Sequence, residues 1–194
     1  SRASAESSLP RDLLESEKNT VAVVAVSTPE VVQIQVRHSK EDLNGKLPEN
    51  HPFKFGPSVP LRTSGSGFVY DKEGHVVTNN HVVDDADEVR VVFIDGHAYK
   101  GRVLGRDRLS DLAVIKVEAP ADQLVPLPIG DSSAARVGQK AIAIGSPLGG
   151  SEGEGMGLDR APSVTEGIIS AKDRSLPINN PKNGAKDFQV ENLI

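Results

Sequence analysis

Two side chains in this sequence have the types and the order of an acid–base pair for nucleophilic hydrolysis. His81 follows the apolar residues Val76 and Val77, and Asp111 stands later in the chain, directly before the apolar run 112–115. A strand end holds a side chain rigidly while leaving it open to a substrate, and His before Asp is one of the known orders of a catalytic triad. We therefore predict that His81 is a general base and that Asp111 orients its imidazole ring.

Other titratable residues are alternatives for these roles. Asp107 lies close to Asp111 in the sequence, but it stands in the polar turn 105–108, where an aspartate normally bonds its own backbone. Asp111 heads a strand and is the preferred orienting residue. The other histidines are predicted to be ordinary surface or core residues, because none pairs with Cys or a carboxylate at metal-ligand spacing: His38, His51, His75 and His97.

The elements that must position this pair are short β-strands. Apolar and polar residues alternate, and Gly74 and the Asp95-Gly96 dipeptide stand between strand patterns as hairpin turns. We expect a positive φ at Gly74 and a type I′ turn at Asp95-Gly96. The predicted strands are 31–37, 66–70, 75–78, 88–94, 97–104 and 112–117. Six short antiparallel strands suit a closed barrel, because closure removes exposed sheet edges.

The rest of the chain is divided by its prolines and glycines. Residues 1–18 are predicted to be a polar tail with a short helix starting at Pro10, residues 19–118 the first barrel, and residues 119–136 a linker. Residues 137–194 hold three further strand patterns, 139–144, 163–172 and 188–193, which suggest a partial second barrel. Residues 38–63 and 146–162 combine Pro, Gly and charge without periodicity, so they are predicted to be mobile or partly disordered loops, or loops that a neighbouring subunit orders.

Composition excludes several classes of protein. Hydrophobic residues make up 37% of the 194 residues but aromatic residues only 4%, so the core must use Val, Ile, Leu and Ala. The net charge of −5 comes with no basic stripe in the sequence, and nucleic acid is not an expected partner. The longest apolar run, residues 21–26, is far shorter than the ~20 residues that a membrane helix needs.

The motifs around the pair resemble those of the HtrA (Deg) serine proteases. The matching segments are Gly-Ser-Gly-Phe-Val at 65–69, Val-Thr-Asn-Asn-His-Val-Val at 77–83 and Ser-Asp-Leu-Ala-Val at 110–114, with further similarity at 137–149 and 164–170. The resemblance implies an all-β, chymotrypsin-like double antiparallel barrel that needs no cofactor or metal. It also implies PDZ domains, a homotrimer or higher oligomer, and degradation of unfolded or misfolded polypeptides outside the cytoplasm, most often in the periplasm.

The resemblance transfers only His81 and Asp111 as site residues. The family's nucleophile stands in a Gly-x-Ser-Gly-Gly turn, and the 194 residues contain no such motif. We therefore expect an incomplete second barrel, and no proteolysis by this chain alone. The alternative function is a non-catalytic, chaperone-like module of protease ancestry that binds unfolded polypeptide. A retained His and Asp at triad positions favours the protease. Phe53 and Phe55 are either anchors of a long loop or contacts to a neighbouring subunit.

Overall fold

The chain is built mainly from β-strands, as its composition predicts. The computed structural model describes residues 13–38, 62–146, 162–172, 174–179 and 186–193. Two helices occur there, α1 (Glu15–Ser27) and α2 (Asn80–Val83), with 3₁₀ turns at Thr28–Glu30 and Ser132–Ala134. The strands are β1 (Val31–Arg37), β2 (Arg62–Val69), β3 (His75–Asn79), β4 (Glu88–Val92), β5 (Ala98–Asp107), β6 (Leu112–Val117), β7 (Lys140–Gly145), β8 (Ser163–Ile168), β9 (Arg174–Asn179) and β10 (Lys186–Leu193).

The first six strands form a closed antiparallel barrel in the order β1-β2-β3-β6-β5-β4. The predicted barrel is therefore confirmed. Alternation along each strand sends every second side chain inward: Val32, Ile34 and Val36 of β1 are at most 1% exposed. The core also contains Val69, Val76, Val83, Val89, Val91, Phe93, Ala113, Ile115, Val117 and Leu124. Burying one Val or Ile side chain contributes about 1.5–3 kcal/mol, so this core supports the strand ends that carry the candidate pair.

Of the two predictions for hairpin turns, one is confirmed and the other is wrong. Gly74 has φ 89°, as expected. The type I′ prediction at Asp95-Gly96 is wrong, because that turn needs positive φ at both positions and only Gly96, at φ 88°, has it. The Gly96 N–H donates to the Phe93 carbonyl and the Phe93 N–H donates to the His97 carbonyl, both at 2.9 Å. The connection is therefore a three-residue loop that ends in a left-handed glycine.

The N-terminal segment and the predicted linker are more structured than the sequence indicated. Helix α1 includes the valine-rich run 21–26 and crosses the predicted boundary at residues 18 and 19, and the 3₁₀ turn with Pro29 follows it directly. Leu124, inside the predicted linker, is 5% exposed and belongs to the barrel core. The Leu127 N–H also donates to the Val69 carbonyl at 2.9 Å, so this part of the linker packs on the barrel.

The remaining strands form two antiparallel pairs, β7 with β8 and β9 with β10. Strand β9 was not predicted, because Pro177 interrupts its alternation and proline inside a run argues against a strand. The pattern predicted over 163–172 ends as a strand at Ile168. The Ser146 N–H donates to the Ser66 Oγ at 2.8 Å, which ties the end of β7 to the first barrel.

Helix α1 contacts the β7–β8 pair through polar groups. The Thr20 hydroxyl donates to a carboxylate oxygen of Glu166 at 2.7 Å, and the Lys140 ammonium lies 2.9 Å from the same carboxylate. These contacts lower the pKa of Glu166, the Lys140 bond first and the Thr20 bond second. No helix among the described residues is long and apolar enough to cross a membrane. The predicted mobile loops lie outside the described residues over 39–61 and 147–161.

Candidate active site

His81 stands where β3 gives way to the short helix α2. The neighbouring Asn80 and Val83 are buried and anchor this turn to the barrel, whereas the His81 side chain is 71% exposed. The N–H of Asn80 donates to the carbonyl of Asp111 at 3.0 Å, which joins the end of β3 to the start of β6. The imidazole is therefore held by a rigid element and remains open to a large substrate.

Asp111 makes two hydrogen bonds to His81. Its Oδ1 accepts the backbone N–H of His81 at 2.9 Å, and its Oδ2 lies 2.7 Å from the ring Nδ1. The structure thus brings the two predicted residues together at hydrogen-bond distance. An ionised carboxylate only accepts hydrogen bonds, so Nδ1 must carry the proton. The ring Nε2 makes no hydrogen bond to a described residue, and in this tautomer it is the acceptor that a general base needs.

The loop before Asp111 is fixed by Asp107. Its carboxylate accepts the Ser110 hydroxyl at 2.8 Å and the Leu109 N–H at 2.9 Å. The Ser110 bond first, and the Leu109 bond second, lower the pKa of Asp107. Asp107 therefore bonds its own turn, as the sequence analysis predicted, and does not orient the histidine.

A second carboxylate joins this loop to the end of α2. Asp84 follows α2, and its Oδ1 accepts from Arg106 at 3.1 Å and from Arg108 at 3.0 Å. All three side chains are at least 36% exposed, so each ion pair adds little to stability. Their role is to fix positions, because they join the end of α2, which carries His81, to β5 and the loop before Asp111.

Two other histidines pair with aspartates in the same way. His75 Nδ1 lies 2.5 Å from Asp71 Oδ2, and His97 Nδ1 lies 2.8 Å from Asp95 Oδ2. In each case the backbone N–H of the histidine also donates to the same carboxylate. Neither contact was predicted, although an aspartate two or four residues before a histidine in a turn is a usable signal.

These two pairs differ from the candidate pair in their origin. Each joins residues of a single hairpin, whereas His81 follows β3 and Asp111 precedes β6, two strands that barrel pairing brings together. The backbone N–H of His97 first, and its ring second, lower the pKa of Asp95. Partial burial raises the pKa of Asp71, but its hydrogen bonds to His75 outweigh this and the net change is downward. Local turn chemistry is therefore sufficient to explain both pairs.

One group of side chains could hold a metal ion within the part of the chain that the structure describes. The ligand atoms of Asp71, Glu73 and His75 lie within 4.8 Å of one another at the turn before β3. The Asp71 Oδ1 already accepts the N–H groups of Glu73 and His75, each at 3.0 Å. Protein donors thus satisfy the Asp71 carboxylate without an ion. This group was not predicted from the sequence.

A shallow cleft lies between the end of α2 and β5, and neither residue of the candidate pair lines it. It has a volume of about 330 Å³ and is lined by the last residue of α2, the residues that follow it and β5, among them Val83, Ala86, Val103, Leu104 and Arg106. The pairing of β5 with β6 shifts register between Val103 and Gly105, and Leu104 is 45% exposed at this irregularity. Bulges often redirect a side chain near a functional site. The sequence alone gave no signal for this cleft.

Comparisons with known proteins agree with the geometry. A family model described as the trypsin-like peptidase domain matches residues 65–192. Protease Do-like 1, chloroplastic, of Arabidopsis thaliana is 36% identical over 169 residues, which are 87% of this chain and 34% of that protein. A probable periplasmic serine endoprotease DegP-like of Halomonas elongata is 39% identical over 176 residues, 83% of this chain and 35% of that protein.

Two further proteins that this chain resembles are also named proteases. The putative serine protease HhoA of Synechocystis sp. is 38% identical over 180 residues, 88% of this chain and 42% of that protein. A solved structure, the HtrA-type protease AlgW with tripeptide, superposes with a TM-score of 0.56 at 28% identity, covering 78% of this chain and 39% of that one. The chain thus spans well under half the length of these relatives. It belongs to the trypsin-like peptidase domain family, in which its relatives are the HtrA/Deg serine proteases.

Proposed function

We propose that this chain carries the general base and the orienting carboxylate of an HtrA/Deg-type serine endopeptidase. The observation that supports this most directly is the double contact between Asp111 and His81, at 2.9 Å to the backbone N–H and 2.7 Å to the ring. It fixes both the orientation of the imidazole and the nitrogen that carries its proton. The exposed Nε2 side of His81 is then available to a serine hydroxyl.

The proposed reaction follows the serine-protease scheme. The serine oxygen attacks the scissile carbonyl while His81 Nε2 takes the hydroxyl proton, and Asp111 stabilises the imidazolium that results. His81 then returns the proton to the leaving amine, and the acyl-enzyme is hydrolysed by water through the same base. The nucleophile is expected in a Gly-x-Ser-Gly-Gly turn, which the 194 residues do not contain. We accordingly expect these residues on their own to be inactive.

The proposed substrate is unfolded or misfolded polypeptide. His81 is 71% exposed at the end of the barrel, a position that a flexible chain can reach without entering a closed cavity. The DegP-like relatives are named periplasmic, and we propose an extracytoplasmic location that is most often the periplasm. One relative is named chloroplastic, which supports another compartment as the alternative. A homotrimer or higher oligomer is part of the same proposal, by resemblance to the family.

A non-catalytic scaffold that holds unfolded polypeptide is the second candidate function. The observation that favours it is apolar exposure on β8, where Ile168 is 65% exposed and Val164 is 39% exposed. Exposed apolar side chains can bind an unfolded segment without chemistry. This candidate assigns no role to the contact between Asp111 and His81. It therefore predicts that mutation of His81 leaves the binding of unfolded polypeptide intact.

The experiment uses the protein from the complete reading frame and fluorescein-labelled, unfolded casein. His81→Ala is expected to abolish cleavage, because no other group then takes the serine proton. His97→Ala is the matched control, because its ring makes a similar contact to Asp95 and is 68% exposed, yet it lies on a hairpin outside the proposed site. Cleavage by His81→Ala at the wild-type rate would reject His81 as the general base. Binding of casein without cleavage by the wild type would reject the protease and leave the scaffold.

A further inference from the structure

The backbone of Asp111 is held in an unusual conformation. Its φ is 53°, in the left-handed region that residues other than glycine adopt rarely. In this conformation the carboxylate of Asp111 reaches both the backbone N–H of His81, at 2.9 Å, and the ring Nδ1, at 2.7 Å. A residue in this region stays there only when its surroundings hold it. The groups that bind the Asp111 main chain are therefore part of the site.

Two donors converge on the carbonyl oxygen of Asp111. One is the backbone N–H of Asn80, at 3.0 Å, which almost any residue at that position could supply. The other is the side-chain amide of Asn79, whose Nδ2 lies 3.1 Å from the same oxygen. Besides the imidazole of His81, the Asn79 carboxamide is the side chain that binds Asp111 among the described residues.

We infer that Asn79 is a positioning residue: its carboxamide holds the Asp111 main chain at positive φ and so keeps the Asp111 carboxylate on Nδ1 of His81. This inference rests on the proposed function. Asn79 acts through Asp111 and has no assigned contact with substrate. Loss of the carboxamide leaves one donor on the carbonyl, so Asp111 samples other backbone angles and the His81 ring spends less time as the Nδ1–H tautomer.

A purely structural role for Asn79 makes a different prediction. Asn79 pairs with Leu112 at the end of the β3–β6 ladder, and the backbone bonds of that ladder persist whatever the side chain is. A side chain that only stabilised this strand end would change the melting temperature alone. Tautomer and turnover number are therefore the readouts that separate positioning from stability.

The test compares Asn79→Ala and Asn79→Leu with the wild type, all expressed from the complete reading frame. Leu has nearly the shape of Asn but no N–H to donate. For both variants we expect kcat on casein to fall about 2- to 10-fold, the range that one net hydrogen bond carries, with KM unchanged. In ¹⁵N NMR of ring-labelled histidine, the His81 signals are expected to move from the Nδ1–H tautomer toward averaged values.

Gln123→Ala is the matched control. The Gln123 carboxamide donates to Asp95 at 2.6 Å in the His97–Asp95 pair, so the variant removes a similar bond outside the proposed site. It should leave kcat and the His81 signals unchanged. A lower melting temperature with wild-type kcat and tautomer in the Asn79 variants would overturn the inference, and so would no change at all. If His81→Ala retains activity, the proposed function fails, while the NMR comparison still decides the role of Asn79.

Discussion

The Asp111→Asn substitution separates the chemistry of the pair from the stability of the fold. Asn has the same shape as Asp and tolerates the left-handed backbone that Asp111 adopts at φ 53°. Its carbonyl oxygen can still accept the backbone N–H of His81, a bond of 2.9 Å in the wild type. The amide NH₂ then faces Nδ1, where a carboxylate oxygen lies at 2.7 Å. A donor at that place favours the tautomer with its proton on Nε2.

The expected fall in kcat follows from this exchange of tautomers. An imidazole that carries its proton on Nε2 cannot accept the serine proton, and such a substitution typically lowers kcat about 10⁴-fold. At about 1.36 kcal/mol for each tenfold change, this is a rise of about 5.4 kcal/mol in the activation barrier. The stability cost is far smaller. The pair is partly exposed, with 71% of the His81 side chain accessible, and exposed ion pairs contribute about 0–1 kcal/mol.

The assay is casein cleavage by the protein from the complete reading frame, with a thermal melt to show that the variant is folded. Asp95→Asn is the control, because Asp95 bonds His97 with similar geometry, at 2.9 Å to the N–H and 2.8 Å to the ring. The control is expected to keep wild-type kcat. A folded Asp111→Asn protein with more than about a tenth of the wild-type kcat would refute the assignment of Asp111, since the tautomer argument requires a far larger loss.

Three further predictions concern the barrel and are measured by urea unfolding. Ile34→Ala is expected to destabilise the fold by about 2–5 kcal/mol, because Ile34 is 0% exposed and its removal leaves a cavity; a loss under about 1 kcal/mol would contradict the core assignment. Gly74→Ala is expected to cost at least about 2 kcal/mol, because φ is 89° there and a Cβ would clash with the Val117 carbonyl; an unchanged midpoint would show that the turn relaxes. Glu30→Gln is expected to stabilise by about 1–3 kcal/mol at neutral pH, because burial raises the pKa of Glu30 and its Oε2 has no described partner. With a folded pKa above the unfolded one, wild-type stability falls as the pH rises above about 4.5, so the gap should close below that pH; an equal gap at all pH values would reject the cause.

Some features of this protein could be predicted from local sequence patterns. The alternation in residues such as Val32, Ile34 and Val36 determined that β1 has one buried face, since side chains on a strand point in opposite directions. Gly74 was predictable for a similar reason, because a residue without Cβ adopts positive φ at low cost. His81 and Asp111 were identified from residue type, order and the motifs around them, which is information that the sequence contains directly.

Other features depended on the tertiary structure. The φ of 53° at Asp111 and its bond to Asn79 arise only when β3 and β6 pair, so no local pattern around either residue could indicate them. The strand that contains Pro177 forms by pairing with β10, which overrides the low strand propensity of proline. Leu124 became a core residue because its segment packs on the closed barrel. In each case the deciding interaction joins residues that are distant in the sequence, and barrel closure sets their register and distance.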